Sequence, residues 1–364
     1  MTNIFRRMED RDDYSVFKDE RVLKPEYLPD DILHRETEIR ELVSILQPFV
    51  HSRSPENVFV FGPPGTGKTV TCRYVLNQLE EYTSKVRGFY INCWEYNTRY
   101  SIFSKIGEGL GLILPRRGLS ADEVLYRIVD GYRHEGLNGM VIVLDEVDRL
   151  FVNKDEGNVL YDLARATENI GVNISIIIIS NYRDFLINLD PRIRSSLMFK
   201  TIEFEPYSIT ALKDILRERS RIAFRPGVLD DDVIPLCAAL GVKFGGDARV
   251  ALTALWLAGR EADREGSKHV TVNHVNRVKD QVFDFVLNTK IVLNPLEKKI
   301  LSIIDGREWV SGDLYRELKE RGIQLTDRSF RNYLKRLHEL GLISVEETRH
   351  PSGRGMTRVV RRVR

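Results

Sequence analysis

The sequence predicts an α/β fold: a parallel sheet with helices on both faces, followed by a helical lid and a winged helix-turn-helix unit. Up to about Phe204, short apolar runs alternate with amphipathic helical patterns, which is typical of parallel strands joined by crossover helices. From Pro206 the strand patterns stop, and Pro295 opens a last unit of three helices and two strands. We therefore predict three domains, over residues 1–205, 206–290 and 291–364.

The first predicted strand, Val58–Phe61, leads into a glycine-rich loop and then into a helix with an apolar stripe. The loop matches G-x-x-x-x-G-K-[ST], in which backbone N–H groups surround phosphate, the lysine reaches the β- and γ-phosphates and the last hydroxyl binds Mg²⁺. The alternative is a surface turn rich in glycine and proline, which the flanking strand and helix disfavour. We predict a site for ATP or ADP with Mg²⁺. Its residues are Gly62, Pro63, Pro64, Gly65, Thr66, Gly67, Lys68, Thr69 and Val70, with Thr69 as a metal ligand.

A second apolar run, Met140 to Leu144, ends in two acidic residues. An all-apolar run of this length is typical of a central parallel strand, and its carboxyl end lies where ligands bind. Asp145 is expected to hold Mg²⁺ and Glu146 to act as general base on the attacking water. The alternative is a solvated loop after a strand.

A third apolar strand, Ile174 to Ser180, is followed by Asn181, whose amide could orient the water or contact the γ-phosphate. A helix from Phe185 to Leu189 comes next, and then Arg192 and Arg194. Arginines just beyond such a sheet are candidates for compensating transition-state charge, usually on a neighbouring subunit's nucleotide. Solvated loop arginines remain an equal alternative.

The predicted lid contains helices only. Each segment has apolar residues at spacings of three and four and opens on Ser, Asp or Thr, which are preferred N-caps. The segments are Ser208 to Ala223, Asp230 to Leu240, Asp247 to Glu265 and Thr271 to Lys290.

The last unit has a basic face. Helices are predicted at Leu296 to Ile304, Ser311 to Arg321 and Thr326 to Leu340, before two strands joined near His350. This layout is typical of a winged helix, whose third helix enters a DNA major groove while the hairpin follows phosphate or the minor groove. A winged helix that binds protein is the alternative. The candidate DNA contacts here are Arg328, Arg331, Lys335, Arg349, Arg354 and Arg358.

Composition is consistent with these assignments. The 364 residues carry a formal charge of +2, but from Arg349 onward there are six arginines and no acid. Three widely spaced cysteines suggest core thiols in a reducing compartment, and the seven histidines show no metal-ligand spacing. No signal peptide or membrane span is expected, so we predict a cytoplasmic, nucleoid-associated protein without a membrane partner.

With these motifs in place, the chain resembles the archaeal origin-recognition and helicase-loading ATPases of the AAA+ class, which are related to the eukaryotic origin recognition complex and cell-division-control loaders. The resemblance covers nearly the whole chain. Besides the phosphate loop and the acidic pair, it rests on segments starting at Phe17, Tyr27, Tyr90, Asp190 and Gly246. These are similar to the family's nucleotide-base segments, second strand, arginine-finger box and second sensor.

The resemblance implies further site residues. Arg249 would reach the γ-phosphate from the lid, and Tyr207 and Arg219 would contact nucleotide. Arg116 and Arg117 lie where such initiators carry a helical insertion that touches DNA, although an ordinary loop before the helix opened by Ser120 fits the sequence equally well.

The resemblance also implies slow ATP hydrolysis with retained ADP, double-stranded origin DNA as ligand, and the replicative helicase and other initiator subunits as partners. Two other classes share these motifs. One is an ATP-dependent transcription regulator or transposition helper, and the other is a clamp-loader-like subunit whose last unit binds protein.

Overall fold

The computed structural model describes residues 15–51, 53, 56–115, 118–151, 158–290, 295–304, 307–323, 325–339, 342–349 and 356–362. The chain divides into two compact units, with the boundary between Val282 and Phe283. The division into three domains stays a prediction. No helix within the described ranges is both long and apolar enough to cross a bilayer.

The first unit is built on a parallel sheet. In the described part of the chain it has five strands in the order β2-β3-β4-β1-β5. Asp145 on β3 is in register with Ile179 on β4, which is in register with Val60 on β1. The carboxyl ends of these three strands therefore lie side by side. The strands are β1 (Val58–Phe61), β2 (Val86–Asn92), β3 (Gly139–Asp145), β4 (Ile174–Ser180) and β5 (Lys200–Glu203).

Alternate residues of the central strands face two separate cores. Val58 and Val60 pack into one core and Phe59 and Phe61 into the other, as the two-residue period of a strand requires. Both faces of β1, β3 and β4 are buried. Helices cover both faces, as predicted for an α/β fold. They are α1 (Glu36–Val50), α2 (Lys68–Tyr82), α3 (Arg99–Gly109), α4 (Ala121–His134), α5 (Asn158–Ile170) and α6 (Pro191–Leu197).

The rest of the first unit is helical, with two departures from the predicted bounds. The segment predicted as one helix over Thr271 to Lys290 breaks at Val278, whose φ of −91° and ψ of 1° leave the helical region. The helix predicted from Asp230 begins at Val233, because three successive aspartates favour a local turn. The helices are α7 (Ile209–Ala223), α8 (Val233–Lys243), α9 (Ala248–Glu265), α10 (Val272–Arg277) and α11 (Lys279–Lys290), which runs past the unit boundary.

Three shorter segments are 3₁₀ helices. They span Glu20–Leu23, Val147–Phe151 and Arg183–Asn188. The last replaces the α-helix predicted from Phe185 to Leu189. The segment has six residues, fewer than two turns of an α-helix, and the residues at its two ends, Tyr182 and Leu189, are extended.

The second unit combines helices with a small antiparallel sheet of order β6-β8-β7. Its core is apolar, and Phe330, Leu334 and Leu337 of the third helix are buried in it. The elements are α12 (Pro295–Ile304), β6 (Trp309–Val310), α13 (Ser311–Glu320), α14 (Asp327–Glu339), β7 (Ile343–Arg349) and β8 (Met356–Arg362).

Candidate nucleotide site

The loop between β1 and α2 has a backbone that requires glycine. Gly62, Gly65 and Gly67 have φ angles of 146°, 77° and 91°, a region that other residues rarely adopt. A Cβ on Gly62 would lie 2.2 Å from the Phe204 carbonyl oxygen, and one on Gly67 would lie 2.5 Å from the Tyr207 hydroxyl. Glycine at these positions therefore allows both the positive φ angles and the close packing of the loop against Phe204 and Tyr207.

Lys68, the first residue of α2, is buried at the centre of the loop. Its ammonium donates hydrogen bonds to the carbonyl oxygens of Gly62 (2.7 Å) and Pro63 (2.8 Å) and to Oδ1 of Asn181 (3.0 Å). Burial lowers the pKa of Lys68 to about 8, and the nearby Asp145 carboxylate opposes that shift. A phosphate anion would favour the charged amine further. The fit between this buried cation and a phosphate ligand is good.

Asp145 ends β3 and receives three hydrogen bonds. The hydroxyls of Thr69 (2.6 Å) and Tyr90 (2.8 Å) donate to Oδ2, and the Glu146 N–H donates to Oδ1 (2.9 Å). A hydroxyl and a carboxylate held together are hard oxygen ligands of the kind that Mg²⁺ prefers. Thr69 and Asp145 are thus suited to hold the ion that ATP chemistry requires.

Glu146 follows directly, with a φ of 54° that is strained for a residue with a side chain. Burial raises the pKa of its carboxyl, and the neighbouring Asp145 and Asp148 carboxylates raise it further. A raised carboxyl pKa brings a general base closer to neutral pH, where proton transfer is most effective. The raised pKa and the position of Glu146 directly after Asp145 suit it to act on water.

The lid contacts the phosphate loop through the start of α9. The Ala248 N–H donates to the Gly65 carbonyl oxygen (3.1 Å). Asp247 is 1% exposed, accepts a hydrogen bond from the Arg249 N–H (2.8 Å) as helix N-cap, and pairs with the Arg249 guanidinium (3.3 Å). Arg249 also contributes to the electrostatic field at Lys68. The predicted second sensor therefore lies beside the loop.

Tyr207 lies in the connection between β5 and α7, which we call the hinge, and Arg219 lies on α7 in the lid. Tyr207 is buried against Gly67 and stacks on the guanidinium of Arg35, 4.1 Å from its ring centroid. Arg219 stacks on Tyr27 (4.6 Å) and donates to the Val22 carbonyl oxygen (3.3 Å). Burial lowers the pKa of Arg219. The two residues thus connect the lid to the segments that the sequence associates with the nucleotide base.

Arg192 and Arg194 do not join this cluster. Both lie on α6 and are exposed, and Arg192 pairs with Asp190 (3.2 Å) with 84% of its side chain in contact with solvent. The structure brings together Lys68, Thr69, Asp145, Glu146, Asn181 and Arg249 within one site. The two exposed arginines remain candidates for action on another molecule.

The sequence reasoning missed three residues that shape the site: Tyr90, Arg35 and Asp247. Tyr90 could have been found from the alternation along β2. It lies on the face of the strand that is only partly buried, and not on the face that packs in the core. Asp247 precedes Arg249 in the second-sensor segment and is a natural N-cap. Arg35 carries no pattern of its own, since its partners other than Glu38 are distant in sequence.

In the second unit, the predicted DNA contacts on α14 are exposed: Arg328, Arg331 and Lys335. Arg331 pairs with Asp327 (2.6 Å), one turn earlier. Arg358 on β8 is exposed, and its backbone is in register with Glu347 on β7. Arg349 is the last residue of β7, and Arg116, Arg117 and Arg354 lie outside the described residues.

A parallel sheet that carries a phosphate loop and an acidic strand end, with a lid arginine beside the loop, defines an AAA+ ATPase. Family models agree with this class. The model described as "AAA domain" matches residues 51–186, and the model described as "Cdc6 AAA+ ATPase-type lid domain" matches residues 213–280. The predicted α/β AAA+ core with a helical lid is confirmed, and the winged-helix part stays a prediction.

Similar proteins match nearly the whole chain. The ORC1-type DNA replication protein 1 of Methanothermobacter thermautotrophicus is 35% identical over 98% of this chain and 96% of its own length. The ORC1-type DNA replication protein of Pyrococcus abyssi is 38% identical over 91% of this chain and 84% of its own. A solved structure of the Aeropyrum pernix ORC1 protein in complex with DNA has 34% identity and a TM-score of 0.72, over 95% of this chain and 93% of that one. The chain belongs to the family of ORC1-type DNA replication proteins.

Proposed function

We propose that this protein is an ATP-dependent replication initiator that binds origin duplex DNA, hydrolyses ATP slowly and helps to load the replicative helicase. The observation that carries the proposal is the site itself. Lys68, Thr69, Asp145 and Asn181 are joined by hydrogen bonds at one edge of the sheet, with the lid arginine beside them. Family membership adds replication as the process that this ATPase serves.

In the proposed reaction, water attacks the γ-phosphorus and the bond to the ADP oxygen breaks. Glu146 accepts the proton of the attacking water, and Asn181 orients that water or contacts the γ-phosphate. Lys68 and Arg249 stabilise charge on the phosphate oxygens. Thr69 and Asp145 would hold Mg²⁺, which would supply further positive charge to those oxygens.

Slow turnover follows if one transition-state charge is missing from the isolated molecule. Arg192 and Arg194 are exposed on α6, outside the cluster around Lys68. We infer that one of them acts on the nucleotide of a neighbouring initiator subunit, as arginine fingers commonly do. A single subunit would then hydrolyse ATP slowly. Retention of ADP is a separate part of the proposal, which rests on the family resemblance.

The second unit is the proposed DNA-binding module, a winged helix. What supports this is the exposed basic face of α14, together with Arg358 on the hairpin. A basic helix of this kind can enter the major groove, while hairpin arginines contact phosphate. Binding through such contacts releases counterions, so affinity is expected to fall steeply as salt rises.

Mapping of the occupied sites across the chromosome tests the proposal. We expect enrichment at replication start points. Enrichment at promoters instead would contradict the initiator role and favour a transcription regulator with the same ATPase core. Measurement of helicase loading on origin DNA, with and without the protein, tests the partner: loading should depend on the protein and on ATP.

A further inference from the structure

Arg35 is buried where the phosphate loop, the hinge and the lid meet. It precedes α1, and only 6% of its surface is exposed. Its Nε donates to the carbonyl oxygen of Thr66 in the loop (2.9 Å), and its Nη2 donates to that of Glu205 at the hinge (2.6 Å). Glu38 neutralises it at 2.7 Å. Such a side chain is constrained on every side.

The guanidinium face is also occupied. It stacks on Tyr207 at 4.1 Å and on Phe204 at 5.2 Å from the ring centroids. Phe204 follows β5 and Tyr207 precedes α7, so both rings lie in the connection between sheet and lid. The planar guanidinium donates hydrogen bonds from its edges while its face stacks on the two rings. A lysine at this position could make only some of these interactions.

The residue before Arg35 continues the connection to the lid. His34 has a φ of 60°, a strained conformation for a residue with a side chain. Its Nε2 lies 3.1 Å from Asp214 on α7, and its N–H donates to Glu36 (3.1 Å). Residues 34 and 35 therefore contact the phosphate loop, the hinge and the first lid helix together.

The physical requirement concerns the carbonyl groups of the loop. A loop that gives its N–H groups to phosphate must satisfy its carbonyl oxygens elsewhere. In this structure Arg35 satisfies Thr66, the Thr66 hydroxyl satisfies Pro63 (2.9 Å) and the lid N–H of Ala248 satisfies Gly65 (3.1 Å). Within the described residues, Arg35 joins the loop to the hinge through one side chain.

We propose that Arg35 is a positioning residue that holds the phosphate loop in its binding conformation and couples that loop to the hinge of the lid. The inference rests on the proposed function in one respect, namely that the loop binds nucleotide. Arg35 contacts the phosphate loop and the hinge, and not the residues that are expected to contact the γ-phosphate. Its replacement should therefore weaken ADP binding and ATP binding equally. The ratio of the two affinities should stay unchanged.

The test uses the full chain and the variant Arg35→Lys, which keeps the charge but loses the fork. We expect affinities for ADP and ATP to fall together by about tenfold or more, since hydrogen bonds from a charged donor are replaced incompletely. ADP should dissociate correspondingly faster. In single-turnover hydrolysis, the ATP concentration for half-maximal rate should rise while the maximal rate changes little.

Arg99→Lys is the matched control. Arg99 also bridges separate helices, pairing with Asp162 on α5 and Asp122 on α4. It should lower thermal stability and leave nucleotide affinity unchanged. Arg35→Lys should instead lower affinity more than its effect on nucleotide-free stability can explain.

Three outcomes distinguish a failure of the proposed function from a failure of the positioning role of Arg35. If the parent chain binds no nucleotide, the proposed function fails. If the parent binds and Arg35→Lys binds equally well, or weakens ATP alone, the positioning role is overturned. If Arg35→Lys does not fold, the double variant Arg35→Gln/Glu38→Gln is measured, because it removes both charges of the pair and leaves neither buried alone. ADP and ATP affinities should again fall together, and parental affinity for both nucleotides overturns the proposal.

Discussion

The contact between the phosphate loop and the lid can be tested by a single added methyl group. Gly65→Ala places a Cβ 1.8 Å from Oδ1 of Asp247, about 1.6 Å short of the 3.4 Å at which ordinary contact begins. Asp247 cannot simply rotate away, because it is 1% exposed and caps α9 through the N–H groups of Arg249 and Val250. Either the loop or the lid must move.

The cost has two parts. An alanine at the φ of 77° carries about 1 kcal/mol of backbone strain. Displacing Asp247 from its N-cap position costs about 1 kcal/mol more. The sum, about 2 kcal/mol, corresponds to a roughly thirtyfold loss of affinity if it falls on the closed state that binds nucleotide.

Gly111→Ala provides the matched control. Gly111 has a φ of 72°, nearly that of Gly65, but an added Cβ would meet nothing within 4 Å. Denaturant unfolding of both variants measures the loss of stability, and ADP titration measures the loss of affinity. Together they separate the backbone strain, which both variants share, from the collision with Asp247, which only Gly65→Ala has. We expect Gly111→Ala to lose about 1 kcal/mol of stability with unchanged ADP affinity, and Gly65→Ala to lose affinity as well.

A double variant strengthens the assignment. In the Gly65→Ala background, Asp247→Ala removes the colliding carboxylate and should cost less than it does in the parent, giving a coupling energy between the two sites. If Gly65→Ala binds ADP like the parent and is destabilised no more than Gly111→Ala, the carboxylate does not lie against the loop, and the reasoning is refuted.

Three further predictions concern catalysis and DNA. Tyr90→Phe removes a hydrogen bond that orients Asp145, so steady-state hydrolysis should slow by about tenfold at unchanged ADP affinity; an unchanged rate would contradict this role. Glu146→Gln should retain ATP binding and lose at least about a hundredfold in hydrolysis of radiolabelled ATP, and equal turnover would exclude Glu146 as general base. Replacing Lys335 and Arg358 by alanine should weaken binding to every duplex and reduce the slope of log affinity against log salt by about one per phosphate contact, whereas unchanged DNA affinity would favour a protein-binding module.

The sheet could be predicted because its central strands are uniformly apolar. Both faces of β3 and β4 are buried, so the sequence shows continuous aliphatic runs with abrupt polar ends. Those ends hold Asp145 and Asn181, and parallel pairing places them at the same edge as the phosphate loop. Their proximity follows from topology, which a sequence pattern can specify.

The contacts that shape the site could not be predicted in the same way. The hydrogen bond from Arg35 to Glu205 joins residues 170 positions apart, and that from Tyr90 to Asp145 spans 55. None of these residues changes the pattern of apolar and polar residues around it, so the sequence gives no sign of the contacts. The same holds for Asp247 over Gly65, which depends on how the lid packs.

The ends of two helices could not be predicted, because local turns compete with the helix there. The periodicity from Thr271 to Lys290 is continuous, yet the chain leaves the helical region at Val278. Asp230 to Asp232 form a turn closed by a hydrogen bond from the Val233 N–H to the Asp230 carbonyl oxygen (3.1 Å), so α8 starts only at Val233. Apolar period identifies the element, but caps and turns decide where it begins and ends.

A footprint on chromosomal DNA around a replication start point, with ATP, with ADP and without nucleotide, tests the central claim most directly. The account predicts protection of duplex DNA whose extent or strength changes with the nucleotide, and loss of that change in Lys68→Ala. Protection that is identical in all three conditions would contradict a nucleotide-controlled initiator, and no protection at modest ionic strength would contradict DNA binding itself.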